Sequence, residues 1–266
     1  VEIEWHVSTQ LGAKFDLVIS FPYCSKTIGE ASLDVAHVLM TIAKHSKRLK
    51  KWEYVSYLKK EEKIIDLEKF DGEIELAHSI SEKFIKEEGK DVRKYNKDVK
   101  VVTEDSSDWA GYIYWYQYKE SKDVEYKITF NLGSPLGRNG MNIEVPETDE
   151  NFFEWGTEVM NDLIDYFKPK YAGIYPWYFR KQLKDHQELS FHPGWILYFP
   201  NDFDLPDMSE YEKVEDYKGM GKIYTLKDEK FVSDSRDQML KWVETYKKFE
   251  VKYAQPASKE EETDGR

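Results

Sequence analysis

The chain is poor in cysteine, in long apolar runs and in local catalytic motifs. Only one of its 266 residues is cysteine, Cys24. No internal disulfide can form, which fits a reducing compartment. No apolar run approaches the ~18 residues of a membrane-spanning helix. The mixed opening segment from Val1 has no signal-type apolar core. Positive charge is in deficit: 39 Lys and Arg face 51 Asp and Glu, a net charge of −12. That balance disfavours nucleic acid as a direct ligand, because phosphate binding needs clustered Lys and Arg. It leaves cationic proteins as partners. The expectation is a soluble cytoplasmic protein with no membrane contact.

Catalytic signatures are equally sparse. The connection 133–140, Gly-Ser-Pro-Leu-Gly-Arg-Asn-Gly, lacks both the Gly-Lys-Ser/Thr ending of a phosphate loop and the dinucleotide fingerprint. Its Asn139-Gly140 pair reads as a tight turn. There is no Gly-x-Ser-x-Gly elbow. Cys24 has no obvious partner beyond His6 or His37, and a lone cysteine is usually structural. His186, Glu188 and His192 form the one dense set of metal-type ligands, but their spacing matches no zinc motif of established geometry. The expectation is no catalytic residue, no metal and no cofactor. The enzymatic alternative is a metal-dependent hydrolase built on those three residues.

What is present is a packed, aromatic-rich chain. Aromatics make up 15% of it, which argues for a real core. In 14–21 the residues Phe15, Leu17, Ile19 and Phe21 alternate as a strand. A helix over 29–46 is predicted, with Leu33, Ala36 or His37, Met40 and Ala43 or Lys44 buried. His37 there reads as a packing histidine. A charged stretch without clear pattern follows Trp52. A helix over 73–88 turns in Ile74, Ala77, Ile80 or Ser81 and Phe84, and Gly89 ends it. The segment 109–118, Trp-Ala-Gly-Tyr-Ile-Tyr-Trp-Tyr-Gln-Tyr, reads as a central strand. Tyr112, Tyr114, Tyr116 and Tyr118 share one face, and Ile113 and Trp115 the other. Packing under helices is the common use of such a ladder, and an aromatic-lined carbohydrate-binding module is the alternative.

Further strands are predicted at 124–132, 141–145, 171–175 and 194–199, with a short helix from Pro176 to Lys184. A hairpin strand over 218–226 precedes a closing helix over 234–249, on which Met239, Leu240, Val243 and Tyr246 or Lys247 face the core. Strands and helices do not alternate as βαβ units. The fold class is therefore α+β, an antiparallel or mixed sheet covered by helices. It forms one domain over 1–252, and the acidic tail over 253–266 is expected to be disordered.

The stretch 141–167 stands out. It holds eight acids and no Lys or Arg. Its second part reads as an amphipathic helix capped by Asp149, with Phe152, Trp155 or Gly156, Val159, Leu163 and Phe167 inward. On the other side Glu150, Glu154, Glu158 and Asp162 stand four apart, a stripe of like charge that costs a few tenths of a kcal/mol per pair. A solvated face explains it, and so does a surface kept acidic to meet a basic partner. A second acidic run, 201–216, holds Asp202, Asp204, Asp207 and Glu210. The dense basic cluster is 44–51, which suits a helix C-terminus.

Gly194-Trp195-Ile196-Leu197-Tyr198-Phe199 resembles the glycine–tryptophan–aliphatic–x–tyrosine–aromatic strand near the end of the immunity protein 52 family. Arg48-Leu49-Lys50-Lys51-Trp52, read as a helix end, is similar to that family's leucine–x–x–tryptophan element. Asn142-Ile143-Glu144-Val145-Pro146 before a long helix and Pro169 fits the same layout. Members protect bacteria from polymorphic toxins. The resemblance implies stoichiometric inhibition of a cognate toxin, of the kind that includes nucleases. Charge then suggests that Glu150, Glu154, Glu158, Asp162, Asp202, Asp204, Asp207 and Glu210 meet the toxin's basic cleft. An acidic DNA mimic directed at a host DNA-binding protein shares the same electrostatics.

Overall fold

A computed structural model describes residues 2–3, 14–21, 25–55, 63–95, 101–107, 112–121, 124–133, 139–176, 183–184, 193–227 and 235–253. Its frame is one ten-stranded sheet in which every pairing is antiparallel. In chain order the strands are β1 (Glu2–Ile3), β2 (Lys14–Ser20), β3 (Lys51–Tyr54), β4 (Lys63–Asp66), β5 (Tyr112–Lys119) and β6 (Glu125–Leu132). Then come β7 (Gly140–Pro146), β8 (Tyr171–Pro176), β9 (Leu183–Lys184), β10 (Ile196–Pro200), β11 (Lys213–Tyr217) and β12 (Gly221–Thr225). Across the sheet they run β11-β12-β10-β8-β2-β7-β6-β5-β3-β4, while β1 and β9 form a separate two-stranded ladder.

The helices are α1 (Ile28–His45), α2 (Glu73–Tyr95), α3 (Phe152–Phe167) and α4 (Arg236–Tyr253). Phe15, Leu17, Ile19 and Phe21 are all buried, as their alternation requires. Phe15 stacks on Phe152 of α3 with ring centroids 5.5 Å apart. Burying an apolar side chain of this kind stabilises by about 1.5–3 kcal/mol. Helix α1 starts at a capping box: the Thr27 hydroxyl accepts from the Glu30 amide at 3.2 Å, and the Glu30 carboxylate accepts from the Thr27 amide at 2.7 Å. Both satisfy donors that the first turn leaves without partners.

Several local expectations are corrected. Helix α1 buries Ile28, Ala31, Val35, Leu39 and Ile42, and Leu33 is 36% exposed. Of the expected stripe Ala36 is buried and Met40 and Ala43 pack half-buried against the core, while His37 and Met40 also border a cleft. Ile74 is exposed and Leu76 takes the inward place on α2. Gly89 does not end that helix, which runs on to Tyr95. The chain at 48–52 is not a helix end. It is a turn into β3, with the Trp52 indole donating to the Leu49 carbonyl at 3.1 Å. The patternless stretch after Trp52 yields β3 and β4, too short to show alternation. Asn139-Gly140 is no left-handed turn, since neither residue has positive φ. Gly140 matters because a Cβ there would lie 2.7 Å from the Ile19 carbonyl oxygen. The tight turn is at Lys218-Gly219, with φ of 52° and 69°, and joins β11 to β12. Strand β11, Lys-Val-Glu-Asp-Tyr, is an exposed edge, so no apolar alternation marks it. Of the predicted helix from Pro176 to Lys184, residues 177–182 lie outside the described residues, and its two ends, Pro176 and Leu183–Lys184, are strand.

Strand β5 is an interior strand, paired to β6 on one side and β3 on the other, but only one of its faces is covered. It is third from one edge of the sheet, and Ile113 on its second face is 53% exposed. On its first face Tyr112, Tyr114 and Tyr116 are buried, with Phe84 of α2 against Tyr114 at 5.0 Å. Burial pushes the Tyr114 and Tyr116 hydroxyls well up from their ordinary range. These rings are core, which removes the carbohydrate-binding alternative. At α4, Leu240 is 41% exposed and Trp242 is buried, its indole donating to the Pro193 carbonyl at 3.3 Å.

Candidate docking groove between two helices

Helices α1 and α3 lie side by side on the sheet, and the acidic stripe runs along the rim of the groove between them. Phe152, Trp155, Val159 and Leu163 are buried as the periodicity predicts. Their burial turns Glu150, Glu154 and Glu158 out to solvent, and Asp162 halfway out.

Asp149 is not the cap. Helix α3 begins after Asn151, with no side-chain cap bond. The Asp149 carboxylate, 1% exposed, is taken up otherwise. It accepts from the Tyr126 hydroxyl at 3.0 Å, the Trp155 indole at 3.1 Å and the Asn151 amide at 3.2 Å. Arg48 closes on it at 2.5 Å and lies over the Tyr126 ring. One buried charge thus joins the turn after α1, strand β6 and the start of α3. A buried carboxylate is tolerable only with this degree of satisfaction.

The basic cluster supplies the cations. Lys44 and His45 both reach Asp162, at 2.7 and 2.8 Å. Arg48 also approaches Glu120 at 3.6 Å, Lys50 pairs with Glu68 and Lys51 with Asp66. Although partial burial works against it, the bonds from His45 and Lys44 hold the Asp162 carboxyl below the usual carboxylate range. The stripe is therefore not uniform. Asp162 is consumed within the molecule, whereas Glu154 and Glu158 have no ion-pair partner among the described residues. They border a cleft of about 640 Å³ with His45, Lys47, Arg48 and Trp155. A second cleft, of about 510 Å³, lies on the far side of Asp162 and is bordered by His37, Lys44, Glu73, Asp165 and Tyr166. His37 does pack: its ring stacks on Tyr166 at 3.7 Å and its Nδ1 meets Glu73 at 3.0 Å.

The second acidic set is split in the same way. Asp207 binds Lys248 at 2.7 Å, and Glu210 binds Lys248 and Lys241 at 2.8 and 3.2 Å. The Lys248 bond, with help from Ser209, lowers the Asp207 carboxyl to about 2. These two acids tie the loop to α4. Asp202 and Asp204 are exposed. Burial raises the Tyr198 hydroxyl, and the charges of Asp165 and Asp202 raise it further, so the loop's acid and the end of α3 share one neighbourhood.

Cys24, His186, Glu188 and His192 lie outside the described residues. Among the described residues no group of His, Cys, Asp and Glu is placed to hold a metal ion, and no helix is long and apolar enough to cross a membrane. Sequence reasoning missed Arg48, Asp149 and Trp155 as one assembly. The signal was present as a basic cluster and an acidic one, but their pairing spans about a hundred residues of chain.

No family model matches the chain, and no curated protein matches it. Among solved structures, a Pseudomonas aeruginosa T6SS protein aligns over 89% of this chain and 74% of its own, at 9% identity and a TM-score of 0.47. A likeness at that level carries no argument about function.

Proposed function

We propose that this chain is a cytoplasmic binding protein of the immunity type. It neutralises a cognate bacterial toxin by occupying a basic surface, such as a nuclease's phosphate cleft, and performs no chemistry of its own. The observation that supports this reading most is the residue of charge left over at the groove. Lys44, His45 and Arg48 are already satisfied by Asp162 and Asp149, while Glu154 and Glu158 stay exposed without ion-pair partners among the described residues. Unpaired carboxylates on a rigid helix are suited to steer and seat a cationic partner. The positions carrying the resemblance to the immunity protein 52 family support it too. Leu49, Trp52, Trp195 and Tyr198 are buried, which suits fold-defining residues rather than contact residues.

The test is capture of the protein encoded beside this one, followed by charge reversal. Replacing Glu154 and Glu158 by Lys leaves the fold intact, because neither is buried, and slows association by about tenfold or more at low salt. The loss shrinks as salt rises. An unchanged association rate for the double variant would place the docking surface elsewhere, and capture of nothing would remove the binding role.

A further inference from the structure

The first amides of helix α1 have no carbonyl one turn back to bond to. Thr27 takes the Glu30 amide. The two before it are met from outside the helix: Ile28 donates to the Ser106 carbonyl and Gly29 to the Glu104 carbonyl, both at 2.9 Å. Segment 101–107 thus completes the cap of α1. The same segment is tied to α2 through one side chain. The Glu104 carboxylate accepts from the Ser81 hydroxyl and meets His78 Nδ1 at 2.7 Å. Ser81 is fully buried, while the His78 side chain is 62% exposed. One of the two partners is therefore fixed, and the other can titrate.

His78 stands between two carboxylates. Its Nδ1 faces Glu104 from the segment, and its Nε2 lies 3.4 Å from Glu82, one turn further along α2. A neutral imidazole carries one N–H, so one nitrogen would then turn a lone pair toward a carboxylate. Only the imidazolium donates to both. We infer that His78 and Glu104 form a pH-sensitive latch that fastens segment 101–107 over the first turn of α1.

The bond to Glu104, then the charges of Glu104 and Glu82, raise His78 from its ordinary value near 6.5. Its contribution is therefore complete below that unfolded value and is lost as pH rises through the higher folded one. The Ser81 and His78 bonds hold the Glu104 carboxyl below its ordinary value near 4.5, although partial burial works against them. Glu104 therefore contributes above that value, and the contribution is lost as pH falls through the lower folded one. The latch is closed between these limits and loosens on the alkaline side. There Glu104 keeps Ser81 and at most a neutral bond from His78, about half as strong as a charge-assisted one. Water screens an exposed pair, so the effect is local and the global fold does not depend on it.

The test is amide exchange of the full chain followed by NMR from pH 5.5 to 9. Each rate is divided by that of an unstructured chain at the same pH, and the His78 imidazole is titrated in parallel. Protection of the Ile28 and Gly29 amides should fall about two- to fivefold, with the midpoint of the His78 titration, while the amides of β10 stay unchanged. His78→Gln, which keeps a donor but cannot titrate, should make protection of both amides independent of pH. Glu82→Gln, which leaves the Glu104 bond in place, should move the midpoint down. A flat wild-type profile, a fall that persists in His78→Gln, or an imidazole midpoint at or below the ordinary value would each overturn the latch.

Discussion

Two assemblies in this molecule are built from the same parts, a lysine or arginine closing on carboxylates, and differ in burial. At the start of α3, Asp149 is 1% exposed and its charge is met by Arg48, two aromatic donors and a backbone amide. At the loop beside α4, Asp207 is 61% exposed and is met by Lys248 and Ser209. Both look fully bonded. In the first, water has been removed, so each lost partner leaves an uncompensated charge in a medium of low polarity. In the second, water replaces whatever is taken away. The contrast shows which acids of this chain hold the fold and which are free to act on something else.

Breaking the buried assembly should have the largest effect. Asp149→Ala removes the acceptor for Tyr126, Trp155 and the Asn151 amide, all at a buried site, and leaves Arg48 only the longer approach to Glu120 at 3.6 Å. The expected loss is about 3–5 kcal/mol, read as a lower denaturant midpoint at unchanged slope. A loss below about 1 kcal/mol would mean that burial does not separate the two assemblies.

Asp162 lies between the extremes, with about a third of its side chain exposed. Asp162→Asn should cost no more than about 1 kcal/mol, the range of part-exposed pairs. Acid titration sharpens the point. The Asp162 carboxyl is held lower in the folded protein than in the unfolded chain. Its contribution is therefore present above the unfolded value near 4 and is lost as pH falls through the lower folded one. The wild type should lose stability over that acid interval faster than Asp162→Asn does. Parallel curves would show that the Lys44 and His45 contacts do not stabilise the fold.

The same contrast explains how far the sequence could be read. The α+β class, the strand at 14–20, the inward face of α3 and the buried tyrosines of β5 follow from local periodicity, because each buries one face against one neighbour. Leu33 failed because α1 has neighbours on the sheet, on α2 and on α3, so its apolar residues do not mark one stripe. Gly89 failed because a glycine lowers helix propensity without forbidding a helix interior. The hairpin strand expected over 218–226 is β12, and its partner β11 left no signal because an exposed edge need not alternate. At the candidate site the stripe Glu150, Glu154, Glu158 and Asp162 was legible as a row of charge. Which members are spent on Lys44 and His45 was not, since that depends on how α1 and α3 are laid side by side. Asp149 was misread for the same reason: its position fits a cap, and its partners come from β6 and the turn after α1.

The smallest effect belongs to the exposed assembly. Lys248→Ala removes the cation shared by Asp207 and Glu210. Lys241 still reaches Glu210 at 3.2 Å, and the Asp207 carboxylate keeps both Ser209 bonds. The denaturant midpoint should stay within error of the wild type. The consequence is local instead. Three of the four side-chain bonds that tie the loop to α4 among the described residues are gone, so amide exchange should quicken through 203–212 and not in β10 or β12, whose amides sit in sheet ladders. The Asp207 carboxyl, held near 2 chiefly by Lys248, should titrate closer to an ordinary aspartate. If Lys248→Ala unfolded the protein as readily as Asp149→Ala, exposure would not be what distinguishes the two carboxylate assemblies, and the acids of the 201–212 loop would have to be counted as part of the fold rather than as surface open to a partner.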